Sequence, residues 1–147
     1  EPINDIVRIK EEYYLKNRSF TLYEGVQELI ENLKTNGLQL ALVTGASHRR
    51  LMGTNIASFL NQFDVLVTGD QVSQGKPSPE PYLLGAQKLG TIISECIVIE
   101  NAPMGIKSAK EAGMYCIAIC STLDKEHLAQ ADIILNTIGE LSSLFGQ

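Results

Sequence analysis

Apolar and polar positions along this chain follow two alternating periods. Near the start, Ile6, Ile9 and Tyr13 fall at helical spacing among charged residues, which predicts a helix over 5–17. Val26, Leu29, Ile30 and Leu33 make a cleaner helical stripe, stopped by Gly37 as the C-terminal glycine. Residues 38–43 then form a short apolar strand ending at Thr44-Gly45, and a helix over about 49–60 leads to a second strand, 63–67, also ending in Thr-Gly. A proline-rich loop precedes a helix over 79–89, closed by Gly90. Residues 96–99 make a third strand, 103–112 a helix closed by Gly113, 115–119 a fourth strand and 132–135 a fifth. Thr137-x-x-Glu140 is a capping box that opens the last helix.

Strands of four to six continuous apolar residues, separated by helices, describe a parallel sheet covered on both faces. The expected fold class is α/β, a three-layer, doubly wound domain, in which ligands bind outside the carboxyl ends of the strands. That rule selects Thr44-Gly45-Ala46-Ser47, Thr68-Gly69-Asp70, Glu100-Asn101-Ala102 and the turn after Ile119.

Composition narrows the partners. The chain has 147 residues, 44% hydrophobic and 20% charged, with a net charge of −5, which fits one ordinary globular domain. The longest basic run is His48-Arg49-Arg50, too sparse for a nucleic-acid face. No apolar stretch approaches the roughly 20 residues of a membrane span. Cys96, Cys116 and Cys120 lie in or beside apolar runs without C-x-x-C spacing, which reads as buried reduced thiols in a cytoplasmic protein.

Three strand ends carry candidate chemistry. Thr44, with the backbone N–H groups of Gly45, Ala46 and Ser47 at a helix entrance, composes an anion cradle; the same turn also reads as a simple N-cap that needs no ligand. Lys76 stands in Gly75-Lys76-Pro77-Ser78-Pro79-Glu80-Pro81-Tyr82. Proline fixes φ and suits a first helical turn, so this framework holds one ammonium group at a helix entrance. A P-loop is excluded, because five residues separate Gly69 from Gly75 and Pro77 stands where a Ser or Thr would meet a cation. Glu100 and Asn101 end a buried strand. A carboxylate beside an amide oxygen can ligate Mg²⁺, while Asn101 before Pro103 equally reads as a helix cap. His48 and Arg49 follow the cradle and can reach a distal substrate group. A Ser47–His48 hydrolase triad is rejected, since there is no G-x-S-x-G elbow.

Thr44, Gly75-Lys76-Pro77-x-Pro79-x-Pro81-Tyr82 and Ile99-Glu100-Asn101-Ala102-Pro103-x-Gly105, in this order at successive strand ends, resemble motifs II, III and IV of the haloacid dehalogenase superfamily. The branch they look most like is the β-phosphoglucomutase and phosphoglycolate-phosphatase group, and the likeness runs from Tyr23 onward. It implies Mg²⁺-dependent phosphoryl transfer through an aspartyl-phosphate, on a small phosphorylated metabolite. By that resemblance Thr44 binds a phosphoryl oxygen with the Gly45 and Ala46 amides, Lys76 neutralises the phosphoryl group and the attacking carboxylate, and Glu100 and Asn101 hold Mg²⁺ or its waters. Ser47, His48 and Arg49 are the candidates for a further substrate contact.

Two departures bear on this. The family commonly carries an acidic residue where Asn101 stands. It also opens with a D-x-D strand, and none of Asp5, Asp64, Asp70, Asp124 or Asp132 belongs to a D-x-D. The resemblance therefore divides the chain into a remnant of a helical cap and linker (1–20) and a core (21–147) that lacks its first strand. Three outcomes stand open for the gap: a segment missing from these residues, a strand donated by another chain, or a sheet that closes up. The functional expectation is the carboxyl-terminal part of a phosphatase or phosphomutase, inactive alone. A non-catalytic phosphate- or metabolite-binding domain, or a decayed relative, is the alternative.

Overall fold

A computed structural model of the chain describes the backbone of residues 4–7, 12–14, 19–21, 24–53, 57–120 and 125–145, and side chains from residue 24 onward. In chain order the elements are β1 (Asn4–Val7), β2 (Glu12–Tyr14), β3 (Ser19–Thr21), α1 (Val26–Thr35), β4 (Leu40–Val43), α2 (His48–Met52), α3 (Ala57–Leu60), β5 (Val65–Val67), α4 (Glu80–Leu89), β6 (Cys96–Glu100), α5 (Pro103–Glu111), β7 (Tyr115–Ile119), β8 (Ile133–Leu135) and α6 (Ile138–Leu144). Short 3-10 turns at Gly69–Gln71, Ile93–Glu95 and Lys125–Leu128 complete the described connections. The main sheet has the order β5-β4-β1-β6-β7-β8, with every neighbouring pair parallel.

The strands sort their side chains by the two-residue period of a pleated backbone. Leu40, Leu42, Ile99, Ile117 and Ile119 enter one core with Val26, Leu29, Ile30 and Leu33 of α1 and Leu141 of α6. Ala41, Val43, Val98, Cys116 and Ala118 enter the other with Tyr82 and Ala86 of α4 and Ile106 and Ala109 of α5. Branched side chains thus fill the α1/α6 side. Small ones let α4 and α5 lie close against the sheet on the other. The three glycine helix stops are as the sequence predicts: Gly37, Gly90 and Gly113 take φ of 80°, 73° and 83°, and the N–H after each returns to the last turn, Leu38 to the Leu33 carbonyl and Thr91 to the Ala86 carbonyl, both 3.1 Å, and Met114 to the Ala109 carbonyl at 3.0 Å.

The N-terminal expectations need correction. Asn4–Val7 is a strand, not part of a helix over 5–17, and Glu12–Tyr14 pairs antiparallel with Ser19–Thr21. β1 lies between β4 and β6, with Val7 opposite both Leu42 and Ile99. The central position is therefore filled by the chain's own residues rather than absent. The inner edges of β4 and β6 would otherwise present unpaired N–H and C=O groups inside the protein, and satisfying them outweighs an apolar spacing that four residues of strand accommodate equally well. The helix expected over 49–60 is also broken: α2 ends at Gly53, a weak helix former, and α3 starts at Ala57. At α6 the Thr137 Oγ1 accepts from the Glu140 N–H at 3.2 Å as predicted, but Glu140 returns its carboxylate to the Asn136 N–H, one residue earlier than a regular box.

Candidate active site at the carboxyl ends of the central strands

β4 and β6 leave the sheet on either side of β1, where the strand order reverses. This is the crevice that parallel α/β sheets use for ligands. On the β4 side, the Thr44 N–H bonds the Val67 carbonyl at 2.9 Å, so the chain stays beside β5 for one residue past the strand. The Thr44 Oγ1 then accepts from the Ala46 N–H at 3.2 Å, leaving its own O–H to donate outward. Ser47 caps α2, accepting from the Arg50 N–H at 3.1 Å.

The loop after β5 clamps this turn in place. Gly69 donates its N–H to the Ala46 carbonyl at 2.8 Å, and a Cβ at Gly69 would fall 2.2 Å from the Gly45 carbonyl oxygen, so only glycine permits the approach. Asp70 Oδ1 accepts from the Thr68 hydroxyl at 2.6 Å and from the His48 N–H at 3.1 Å. The Thr68 hydroxyl first, and the His48 N–H next, hold the Asp70 carboxyl below its ordinary range.

Lys76 arrives from the far side of the crevice. Its loop is pinned at several points: Glu80 accepts from the Ser73 and Gln74 N–H groups, each at 2.9 Å, Ser78 returns its N–H to the Gly75 carbonyl at 3.0 Å, and the Ser108 hydroxyl of α5 donates to the Ser78 carbonyl at 2.6 Å. The Lys76–Pro77 peptide bond is cis. The side chain, 11% exposed, runs under the loop. Its Nζ donates to the Val43 carbonyl at 3.2 Å, stands 3.6 Å from Glu100 Oε1 and lies 5.1 Å from the centroid of the Tyr82 ring. The ammonium is thus at the end of β4, beside the Thr44 turn.

Glu100 ends β6 and is 1% exposed. A carboxylate buried this deeply needs partners, and it has them. Oε1 accepts from the Tyr82 hydroxyl at 2.7 Å; Oε2 accepts from the Asn101 N–H at 2.9 Å and the Ala102 N–H at 3.3 Å at the entrance of α5. Gly105, one turn into that helix, makes the room: a Cβ there would sit 1.9 Å from Oε1. The charge reaches further. Burial first, and the Glu100 carboxylate next, push the Cys116 thiol well above its ordinary range, which makes it an inert core residue.

Thr44, Gly45, Lys76, Glu100 and Gly105 line one cavity of about 650 Å³, with Met104 exposed at its mouth. Ser47, His48 and Arg49 do not line it; Ser47 is half-buried in its capping role, and the other two are exposed on α2. Ala46 is buried behind the turn, and Asn101 is buried beside Glu100. Asp5 stands opposite Leu40 and Ile97, two residues short of the end of β1, and so away from this crevice. The described residues do not by themselves fit a Mg²⁺ ion, because both Glu100 oxygens are engaged, Asn101 offers a neutral oxygen, and among the described residues no group of three His, Cys, Asp or Glu could hold a metal. Tyr82, Gly105 and Asp70 organise the site without any role foreseen for them in the sequence. Tyr82 and Gly105 lie inside the quoted motifs and Asp70 follows a strand-end Thr-Gly, which is the only signal they carry.

Known proteins resemble this chain in sequence and fold. A model of the haloacid dehalogenase-like hydrolase family matches residues 1–119. The chain is 38% identical over 119 residues to the validoxylamine A 7'-phosphate phosphatase of Streptomyces hygroscopicus subsp. limoneus, covering 80% of this chain and 56% of that one. It is 33% identical over 127 residues to hexitol phosphatase A of Escherichia coli (strain K12), covering 86% and 59%. CbbY from Rhodobacter sphaeroides, solved in complex with phosphate, superposes with a TM-score of 0.75 at 31% identity over 83% of this chain and 56% of that chain. The chain thus spans a little over half the length of these relatives. With the parallel sheet and the lysine and glutamate at its strand ends, these matches establish that the chain belongs to the haloacid dehalogenase-like hydrolases.

Proposed function

We propose that the chain is the carboxyl-terminal part of a phosphatase or phosphomutase that acts on a small phosphorylated metabolite through an aspartyl-phosphate. The observation that carries this reading is the Lys76 ammonium, held beside the Thr44 turn and 3.6 Å from a buried Glu100 at the reversal of strand order. Phosphoryl transfer asks for positioning and charge neutralisation more than for covalent chemistry from the protein. In this reading the Thr44 hydroxyl and the Gly45 amide bind phosphoryl oxygens, the Ala46 amide orients the Thr44 hydroxyl, and Lys76 neutralises the phosphoryl group together with the attacking carboxylate. That aspartate comes from outside these residues, on a segment that need not enter the sheet, whose central position β1 already fills. The expected division into a cap remnant over 1–20 and a core over 21–147 does not carry over to this reading, because Asn4–Val7 belongs to the core sheet. Mg²⁺, general in this family, would need that further carboxylate, and Glu100 and Asn101 are the residues here that would help hold it or its waters. Ser47, His48 and Arg49 are left to contact a distal part of the substrate. Cys96, Cys116 and Cys120 are thiols outside any disulfide, which agrees with a cytoplasmic setting, and among the described residues no helix is long and apolar enough to cross a membrane.

The test is turnover. The 147 residues alone are expected to leave p-nitrophenyl phosphate intact. Adding an aspartate-bearing segment in trans, or restoring it by fusion, should produce turnover that Lys76→Met abolishes. Strong hydrolysis by the isolated chain, lost on Lys76→Met, would overturn the account of the nucleophile. A second reading, a binding domain that retains phosphate without chemistry, draws support from the neutral Asn101 and the fully engaged Glu100 carboxylate. Phosphate binding without turnover in the aspartate-complemented protein would favour it, and so would a genuine start codon near Glu1.

A further inference from the structure

Tyr82 is wholly buried, yet both of its chemical halves face the charged floor of the cavity. Its hydroxyl donates to Glu100 Oε1 at 2.7 Å, and its ring lies 5.1 Å from the Lys76 Nζ, within cation–π range. Lys76 and Glu100 nevertheless stand 3.6 Å apart, beyond the roughly 2.7–2.9 Å of a charge-assisted N–H···O bond. In a buried, oppositely charged pair that separation needs a cause. The oxygen nearest the ammonium is the one Tyr82 already occupies, and the other is held by two backbone N–H groups at the entrance of α5.

We propose that Tyr82 is a positioning residue for the Lys76–Glu100 pair, whose hydroxyl anchors the carboxylate and whose ring supports the ammonium, so that the ammonium keeps donor capacity for an incoming phosphoryl group. Lysine has three donors. One goes to the Val43 carbonyl and a second leans on Glu100 without closing on it. Without the hydroxyl, the carboxylate loses a donor that fixes Oε1 in place and can swing toward Lys76, 3.6 Å away. Closing that contact neutralises the charge that is meant for the anion. Anchor and support act through other side chains, so Tyr82 does not itself touch the ligand. The proposal rests on the anion reading of Lys76 given above.

Two measurements on the whole chain separate the possibilities. Binding of inorganic phosphate is followed by calorimetry for the wild type, Lys76→Met, Tyr82→Phe, Glu100→Gln and the double variant Tyr82→Phe/Glu100→Gln. The Lys76 ε-methylene resonance is followed by NMR in ¹³C-lysine-labelled protein. Tyr82→Phe is expected to weaken phosphate binding on the order of tenfold, the size of one charge-assisted contact, and to do so by less than about twofold in the Glu100→Gln background, where no carboxylate remains to close on the lysine. A merely structural tyrosine would weaken both backgrounds alike, and that result overturns the proposal, as does a Tyr82→Phe protein that binds like wild type. In the wild type the Lys76 resonance should lie upfield of the other lysines, move in Tyr82→Phe and return to the common position in Tyr82→Leu. A wild-type resonance among the other lysines overturns the ring contact without any variant having to fold. If wild type and Lys76→Met bind phosphate equally or not at all, the anion reading fails. In that case an unmoved Lys76 resonance in Tyr82→Phe overturns the positioning role as well, and a moved one upholds it.

Discussion

Among the described residues two lysine–carboxylate pairs stand out, and the shorter one has the simpler job. Lys110 meets Asp132 at 2.6 Å across a surface where both side chains are about a third exposed. Lys76 stands 3.6 Å from Glu100 with the carboxylate wholly buried. Asp132 also accepts from the Cys116 N–H at 2.7 Å, and Lys110 also donates to the Met114 carbonyl at 3.2 Å. That pair therefore ties α5, β7 and the turn before β8 together. At the inner pair the carboxylate accepts from Tyr82 and two backbone amides, and the ammonium stands 3.6 Å off it. The outer pair closes to a direct hydrogen bond; the inner one is held open.

The comparison can be broken in several places. Lys76→Met should have the largest effect, about 3–5 kcal/mol of lost stability, because it leaves a buried charge without its cation; urea unfolding with both pairs mutated separately measures it. Gly105→Ala comes next, at about 1–3 kcal/mol, since the methyl enters the space of the carboxylate and forces it off Tyr82. Gly45→Ala, with nothing within 4 Å of a new Cβ, is the matched control and should be much milder. Lys110→Met should cost about 0.5 kcal/mol, within the range of solvent-screened pairs, and a cost equal to that of Lys76→Met would erase the distinction drawn between them.

The smallest effect is one of pH. Burial opposes the Asp132 charge, but the Lys110 hydrogen bond, the Cys116 N–H and the Lys110 charge together outweigh it and hold the carboxyl below its ordinary value of 3.8. A carboxyl depressed on folding contributes stability that is present above its unfolded value and lost as the pH falls through the folded one. The contribution should therefore be constant from neutral pH down to about 4 and decline below it. Asp132→Asn should flatten that acid limb, as measured by thermal unfolding across pH 2.5–6, and an unchanged limb would remove Asp132 as its source.

Most of the core was legible because its signals are local. Alternation and continuous apolar runs announce β4, β6 and β7, and Gly37 and Gly90 announce the ends of the helices before them. The Lys76 loop was legible for the same reason, since prolines constrain their own backbone whatever lies around them. β1 was not, because nothing in Asn4-Asp5-Ile6-Val7 resembles a central strand. Its state is decided by the open edges of β4 and β6, which lie more than 30 residues away in sequence. The roles of Tyr82, Asp70 and Gly105 were hidden likewise. Each is defined by a partner brought near only by the fold, and a tyrosine in a helix stripe reads as core until the carboxylate above it is known.

The contact between Gly69 and the Gly45 carbonyl carries a consequence for how this scaffold can diversify. Two loops that touch backbone to backbone move as one piece, so lengthening or recolouring either displaces both, and with them the Thr44 turn. Preference among substrates cannot readily be rewritten at the floor of the crevice. It is left to the rim, where Met104 stands 56% exposed and a change of side chain alters what fits without disturbing how a phosphoryl group would be held.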